Sequence, residues 1–250
     1  MDINNKDTVL IAPNGKPSNL NAEQYRLTRS PEFIKWFGDF MNNPEKSSKV
    51  VDKKGNPLVV YHGSPDLRGL KEDYVFKTRK EVFGMPEPNQ SYFFTDSSSI
   101  AKSYADPQRA FDYQNAEEGV MPVYLSLQNP LLLDAEGAIW RKFELEIMGE
   151  KIVGTTNIIT FAKRDNYDGV IIKNVKDYYN KNDIKGTSGN VYVAFKPTQI
   201  KIADGSNTTF DSNNPDIRYA DGGNVADFGK VISASSRFKP YETIRKAFMT

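Results

Sequence analysis

The sequence contains no cysteine and only one histidine, His62. Without cysteine the chain has no disulfides, no thiolate nucleophile and no cysteine-based zinc site. A single histidine excludes a multi-histidine metal site as well, so we predict no metal centre. The lack of disulfides is compatible with a reducing cytosol.

The chain also has no large net charge of either sign. The 33 lysine and arginine residues balance 32 aspartate and glutamate residues, for a net charge of +1. No field of the whole chain therefore favours nucleic acid or an anionic membrane. Residues 1–10 lack a basic-then-apolar signal segment, and no apolar run approaches the ~20 residues of a membrane helix. We expect a soluble, unexported, cytoplasmic protein.

Several common catalytic motifs are missing too. No glycine-rich phosphate loop of the Walker or Rossmann type follows a strand. No Gly-x-Ser-x-Gly elbow supplies a serine nucleophile that His62 could activate. A catalytic pair of carboxylates, as in glycosidases, is not ruled out, because acids such as Glu144 and Glu146 are present. The distance between such acids cannot be read from the sequence.

The composition along the chain suggests three segments. Hydrophobic residues make up 38% of the chain, which favours long polar segments outside the core. We predict a mobile N-terminal arm over residues 1–21, one domain over residues 22–219, and a linker with a basic C-terminal helix or tail over residues 220–250.

The domain begins with a helical lead-in. Aromatic residues recur at spacings of three and four between Ala22 and Met41, with Ser30 and Pro31 as cap and first turn of a second helix. Such a stripe is more often core than a ligand site. Similar spacing predicts an amphipathic helix over Ala135–Glu146.

Within Val59–Ser64, a short strand predicted over Leu58–His62 delivers His62 at its end, after a hairpin turn from a strand at Lys49–Asp52. Gly63 follows directly, and a glycine there lets the backbone approach a ligand closely. A lone histidine at a strand end is by itself more often structural than functional.

Further along, residues 66–91 are polar and predict a long excursion or lid. An aromatic strand follows at Ser91–Thr95, then candidate caps at Asp96–Ser99 for a helix that carries Tyr104. Val191–Phe195 is a strong late strand, and Pro215–Tyr219 is predicted as an edge segment.

Three blocks of this sequence together resemble a known family. They are Val60–Ser64, Tyr92–Asp96 with Ala101–Ala105, and Val191–Ile200. They look like the blocks of ADP-ribosyltransferase domains, most closely those in the polyvalent proteins of bacteriophages and conjugative elements. These are related to the poly(ADP-ribose) polymerase and diphtheria-toxin branch. The flanking runs agree, and the resemblance covers about residues 25–219.

The resemblance implies an α+β fold in which two facing, mostly antiparallel β-sheets surround a cleft for NAD, used as substrate. The Gly63 backbone would bind the nicotinamide carboxamide, and His62 would bind a hydroxyl of the adenosine ribose with help from Ser64. The nicotinamide ring would lie between Tyr104 and one aromatic residue of β-strand 92–95, namely Tyr92, Phe93 or Phe94.

Two departures from the family pattern stand out. The family usually has tyrosine where Phe93 aligns. More seriously, its catalytic acid is expected where this chain has Asn190 and Val191, and neither side chain can stabilise positive charge as a carboxylate does. Asp183, Asp177 or another acid of the preceding loop is the alternative source.

The implied function is transfer of ADP-ribose from NAD to a macromolecule, as a phage effector acting on a protein of its host. The site of action would be the cytoplasm of an infected cell, or the domain would be carried in a virion. Two alternatives stay open: a catalytically silent module that binds NAD, and a structural or packaged phage protein that interacts through Val225–Thr250.

Overall fold

The computed structural model describes residues 9–77, 81, 90–106, 114–140, 144–147, 149–177, 187–205, 207 and 209–218. All of them belong to one compact unit, residues 1–219. The predicted linker and tail, 220–250, lie outside the described residues, as does Asp183.

In the part of the chain that the structure describes, helices are few and short, and none is long and apolar enough to cross a membrane. They are α1 (Ala22–Leu27), α2 (Pro31–Phe37), α3 (Arg68–Asp73), α4 (Ser98–Tyr104) and α5 (Thr155–Arg164). The strands are β1 (Val60–Ser64), β2 (Tyr92–Thr95), β3 (Gly119–Leu125), β4 (Pro130–Asp134), β5 (Glu144–Ile147), β6 (Glu150–Val153), β7 (Gly169–Asp177), β8 (Thr187–Ala194) and β9 (Ile200–Ile202).

Seven of these strands form one sheet in the order β4-β7-β8-β2-β1-β3-β9, and β5 pairs with β6 in a two-stranded sheet. Only β4 and β7 run parallel; the other pairs within the described strands are antiparallel. The predicted α+β class with mostly antiparallel sheets is thereby confirmed, and the two sheets are very unequal in size.

The lead-in helix α2 forms as its sequence predicts. The Ser30 side chain accepts a hydrogen bond from the Phe33 amide, and Pro31 occupies the first turn. The buried face packs on β3 and on the segment after β9 in a cluster that we call the aromatic core. Its members are Phe33, Trp36, Phe37, Phe40, Tyr124, Ala203 and Phe210.

A second core lies between α5 and the sheet. Ile158 and Phe161 of α5 are buried against β7 and β8, whose Val175, Val191 and Val193 are at most 3% exposed. This packing matters for function, because it fixes which face of β8 carries Val191.

The far edge of the sheet is closed by the segment after β9. The Ile202 amide donates to the Ile217 carbonyl at 2.9 Å, as expected for the predicted edge segment. Lys201, buried on β9, donates from Nζ to the carbonyls of Asn214 and Asp216 at 2.6 and 2.8 Å. Burial lowers the pKa of Lys201 to about 8.

Two local predictions were wrong. Residues 135–140 form turns instead of the start of a helix, and Glu144–Ile147 is a strand. The reason is non-local, because the backbone here bonds to β7: the Trp140 amide donates to the Lys176 carbonyl. The strand expected at Lys49–Asp52 is reduced to an isolated bridge between Val51 and Pro57.

Candidate functional site

The centre of the large sheet is split. β1 pairs with β3 along its whole length, from Val60 to Ser64. With β2 it shares a single residue pair, Tyr61 with Thr95, although both strands lie entirely within the described residues. Beyond that pair β1 and β2 are not paired, and the gap between them, which we call the cleft, has β1 on one side and Phe93 of β2 on the other.

Helix α4 lies directly against the strands at this cleft. A Cβ atom added to Gly63 would lie 1.7 Å from the carbonyl oxygen of Ala101, and one added to Gly189 would lie 2.7 Å from Ile100. Both glycines are therefore needed for the helix to approach the sheet so closely. We call the side of the sheet that α4 covers the α4 face.

The strand registers show which residues share the α4 face. Thr95 pairs with Tyr61 and with Val191, and Phe93 pairs with Val193. Because side chains alternate along a strand, Gly63, Phe93 and Val191 all lie on this face. The same alternation places Tyr92, Phe94 and Asn190 on the opposite face.

His62 crosses the split with its side chain. Its Nδ1 lies 2.9 Å from the carbonyl oxygen of Phe93, and its ring packs edge-on against Phe76 at 5.0 Å between centroids. Burial lowers the pKa of His62, and the bond to the Phe93 carbonyl only partly opposes this shift. The imidazole is therefore neutral at pH 7.

The tautomer of His62 follows from this contact. A carbonyl oxygen only accepts hydrogen bonds, so Nδ1 must carry the proton. Nε2 is then left with its lone pair and can accept a hydrogen bond from a hydroxyl group of a ligand.

Tyr104, at the end of α4, is tied to a carboxylate. Its phenol donates a hydrogen bond of 2.7 Å to Oδ1 of Asp177, the last residue of β7. Asp177 is 7% exposed. The bond joins α4 to the far end of the sheet and sets the direction in which the Tyr104 ring faces.

Of the three aromatic residues on β2, only Phe93 is exposed. Its side chain is 37% exposed, whereas Tyr92 and Phe94 are buried and both contact Phe76 on the opposite face. Phe93 makes an edge contact with the Trp140 ring, with centroids 5.8 Å apart. The sheet therefore selects Phe93 as the β2 aromatic that borders the cleft.

The residues around the cleft are linked to one another by a continuous chain of contacts. His62 contacts Phe93, Phe93 contacts Trp140, and the Trp140 backbone bonds to the residue before Asp177. Asp177 binds Tyr104, and α4 returns to β1 at Gly63. We call these residues the cleft rim: His62, Gly63, Phe93, Tyr104, Trp140 and Asp177.

Other predicted site residues have different surroundings. The Ser64 hydroxyl donates to the Asp66 carbonyl at 2.7 Å and accepts from the Asp66 amide, which is a local turn contact. Asp168, directly before β7, accepts the Gln128 amide at 2.7 Å. Burial raises the pKa of Asp168.

The position of the expected acid holds no carboxylate. Val191 is 3% exposed and belongs to the core under α5. Asn190 is bound to Asp96, through its backbone amide at 2.8 Å and its side-chain amide at 2.6 Å. Its side-chain oxygen accepts the Asn174 amide at 3.1 Å. Asn190 thus fastens β8 to the end of β2 on the opposite face from Val191.

For two residues of the cleft rim, little in the sequence indicated that they belong to the site. Trp140 lies in a stretch with helical periodicity, so its place beside Phe93 was not foreseen. Asp177 was one of several acids in a polar stretch. Among the described residues no three potential metal ligands lie together.

The family comparison covers the part of the chain that carries this geometry. The model of the ADP-ribosyltransferases in polyvalent proteins matches residues 52–210, which include every residue of the cleft rim. The match covers more than half of the chain, so the chain belongs to this family. Comparisons with curated proteins and with solved structures gave no significant match.

Proposed function

We propose that the domain binds NAD in the cleft between β1 and β2 and transfers its ADP-ribose to a protein of the host. The observation that carries this proposal is the separation of β1 from β2 after the pair Tyr61 and Thr95. It leaves the Gly63 backbone and the exposed Phe93 ring on the α4 face of the gap, and the His62 imidazole reaching across it from the opposite face, in a chain of this family.

Each part of NAD has a matching group on the cleft rim. The amide and carbonyl of Gly63 suit the donor and acceptor of the nicotinamide carboxamide. Phe93 and Tyr104 present rings for stacking on the nicotinamide, a contact of about 0.5–1.5 kcal/mol beyond its buried area. The lone pair of His62 Nε2 suits a ribose hydroxyl.

The reaction needs little proton transfer before the bond breaks. The bond between ribose C1′ and the nicotinamide nitrogen breaks, its electron pair goes to nicotinamide, and positive charge develops on the ribose. The acceptor forms the new bond to C1′ and loses a proton. Positioning and a nearby negative charge therefore supply most of the rate enhancement.

A silent module that binds NAD without turnover is the second candidate. It is favoured by one observation, the buried Val191 at the place where the family acid is expected. An isopropyl group there cannot stabilise the ribosyl cation.

Incubation with NAD labelled in the nicotinamide separates the two candidates. We expect wild-type protein to bind NAD by calorimetry and to release nicotinamide, and His62→Ala to lose most of both. Lys35→Ala, an exposed change on α2, is the control and should match wild type. Binding without release supports the silent module, and no binding at all contradicts the proposal.

A pair of substitutions at Val191 tests the silent module further. Val191→Glu and Val191→Gln place side chains of similar size at the same buried position, and both should lower stability. If the module is silent for want of charge, only the glutamate variant gains nicotinamide release. Equal release from both variants would exclude that explanation.

The target and setting are proposed on the family's occurrence in polyvalent proteins. A host protein as acceptor places the reaction in the cytoplasm of an infected cell, reached by synthesis there or by delivery from a virion. Transfer of labelled ADP-ribose to proteins of a host extract tests this step, and label that stays in free ADP-ribose contradicts it.

A further inference from the structure

We propose that Asp177 supplies the carboxylate that stabilises the ribosyl cation, in place of the acid that is missing at Val191. The inference rests on the proposed function and assigns its missing charge to a residue on the neighbouring strand.

The first support is the face on which Asp177 lies. In the register of β7 with β8, Ile172 pairs with Val191 and Asp177 pairs with Thr187. Thr187 and Val191 are four residues apart on β8, so they point to the same side of the sheet. Asp177 therefore shares the α4 face with Val191, further along the same pair of strands.

The second support is its partner. The Tyr104 phenol donates to Asp177 at 2.7 Å, and Tyr104 is one of the two rings proposed to hold nicotinamide. Ribose C1′ is bonded directly to the nicotinamide ring, so the cation develops beside Tyr104. The 2.7 Å bond holds the carboxylate at the edge of that ring, and the inference requires C1′ to lie within the ~4–6 Å over which opposite charges act strongly.

The third support is the surroundings of the carboxylate. Asp177 is 7% exposed, and burial in a region of low dielectric strengthens its action on a nearby positive charge. Trp140 lies next to it along the sheet, because its amide bonds to the carbonyl of the preceding Lys176.

Two other described acids near these strands are engaged elsewhere. Asp96 binds the backbone and side chain of Asn190 on the opposite face. Asp168 lies before the first residue of β7, at the other end of the strand, and accepts the Gln128 amide.

The step balances with water as the acceptor. The bond from C1′ to the nicotinamide nitrogen breaks and nicotinamide leaves as a neutral molecule with the electron pair. The Asp177 carboxylate stabilises the positive charge on the ribose. The water oxygen attacks C1′, and its proton passes to the Asp177 carboxylate and then to solvent.

Three variants test the inference with NAD as probe and water as acceptor. Asp177→Asn keeps an oxygen that accepts the Tyr104 bond but removes the charge, so folding and NAD affinity should stay close to wild type. Nicotinamide release should fall by about 10²–10³-fold, the usual cost of removing one group that stabilises a transition state. Tyr104→Phe keeps the ring and should retain NAD binding with slower release. Asp183→Asn tests the rival acid, and Glu45→Gln, an exposed change outside the cleft rim, is the control that should release nicotinamide like wild type.

The outcomes are distinguishable. Asp177→Asn with wild-type release overturns the inference, and so does loss of binding and release in equal proportion, which would mean that Asp177 only positions Tyr104. Release that is lost in Asp183→Asn assigns the charge to the other acid. Binding without release by wild type also overturns it. If wild type does not bind NAD, the proposed function itself fails.

Discussion

Two groups of aromatic residues in this protein have similar composition and opposite surroundings. In the aromatic core, Phe33 and Phe37 are fully buried, and Phe33 alone contacts five other rings. In the cleft rim, Phe93 is 37% exposed and its neighbours are an imidazole and an indole. The first group is surrounded by rings and the second borders polar groups that can bind a ligand.

This difference distinguishes a structural core from a ligand-binding site. The polar atom of Trp36 in the aromatic core is satisfied by the protein itself, because Nε1 donates to the Thr198 carbonyl at 3.0 Å. In the cleft rim the polar groups are the buried carboxylate of Asp177 and the neutral imidazole of His62, whose Nε2 lone pair can accept a ligand's hydrogen bond, and the Phe93 ring is exposed. Substitutions in the two groups should therefore change different properties.

The largest expected effect on stability is in the aromatic core. Phe33→Ala removes a fully buried ring and should lower the free energy of unfolding by about 3–5 kcal/mol. Urea denaturation measures this loss. NAD affinity, measured where the variant is still folded, should not change. A loss below about 1 kcal/mol would mean that the aromatic core is not what holds the lead-in helix.

Gly63→Ala should lower both the stability of the fold and the affinity for NAD. The new methyl group meets the Ala101 carbonyl, so α4 must move, at a cost of about 1–3 kcal/mol, and NAD affinity should fall because the cleft changes shape. Gly69→Ala is the control, since nothing lies within 4 Å of its added Cβ and alanine favours a helix. Equal behaviour of the two variants would contradict the close approach of α4.

Phe93→Ala should behave oppositely to Phe33→Ala, with NAD affinity changed and stability nearly unchanged. Stability should change by no more than about 1 kcal/mol because the ring is partly exposed, while NAD affinity should weaken by about 0.5–1.5 kcal/mol. Leu132→Ala, which removes an exposed apolar side chain on β4, should leave affinity unchanged. Calorimetry of the two variants makes the comparison, and unchanged affinity in Phe93→Ala would remove this ring from the site.

His62 should give the smallest effect, through pH. Its pKa is lowered in the folded state, so the unfolded chain binds the proton more readily just below its ordinary value of about 6.5. The free energy of unfolding should therefore fall as pH falls through the folded-state pKa, and this stability is fully present above about 6.5. Denaturation of wild type and of His62→Gln across this range isolates the effect. Parallel curves would contradict a lowered pKa.

Local signals made much of the fold predictable. Ser30 and Pro31 begin α2 as expected, and one of the predicted caps, Ser97, begins α4. The strand with Val191 is present, and its burial agrees with its apolar pattern. These features depend on neighbours within a few residues, which the sequence displays directly.

Features that depend on distant residues were not predictable. Residues 135–147 have helical spacing, yet their backbone bonds to β7 and they form turns and a strand. The choice of Phe93 over Tyr92 needed the register of β2 with β8. The contact of Asp177 with Tyr104 joins residues 73 positions apart, and no local pattern reports it.

The central claim is that the cleft beside His62 binds NAD. Because the chain has one histidine, a nitrogen-detected NMR spectrum of the imidazole reports this position without interference. On titration with NAD we predict a saturable shift of the Nε2 signal, while Nδ1 stays protonated against the Phe93 carbonyl. An imidazole spectrum that is unchanged up to millimolar NAD would contradict the account.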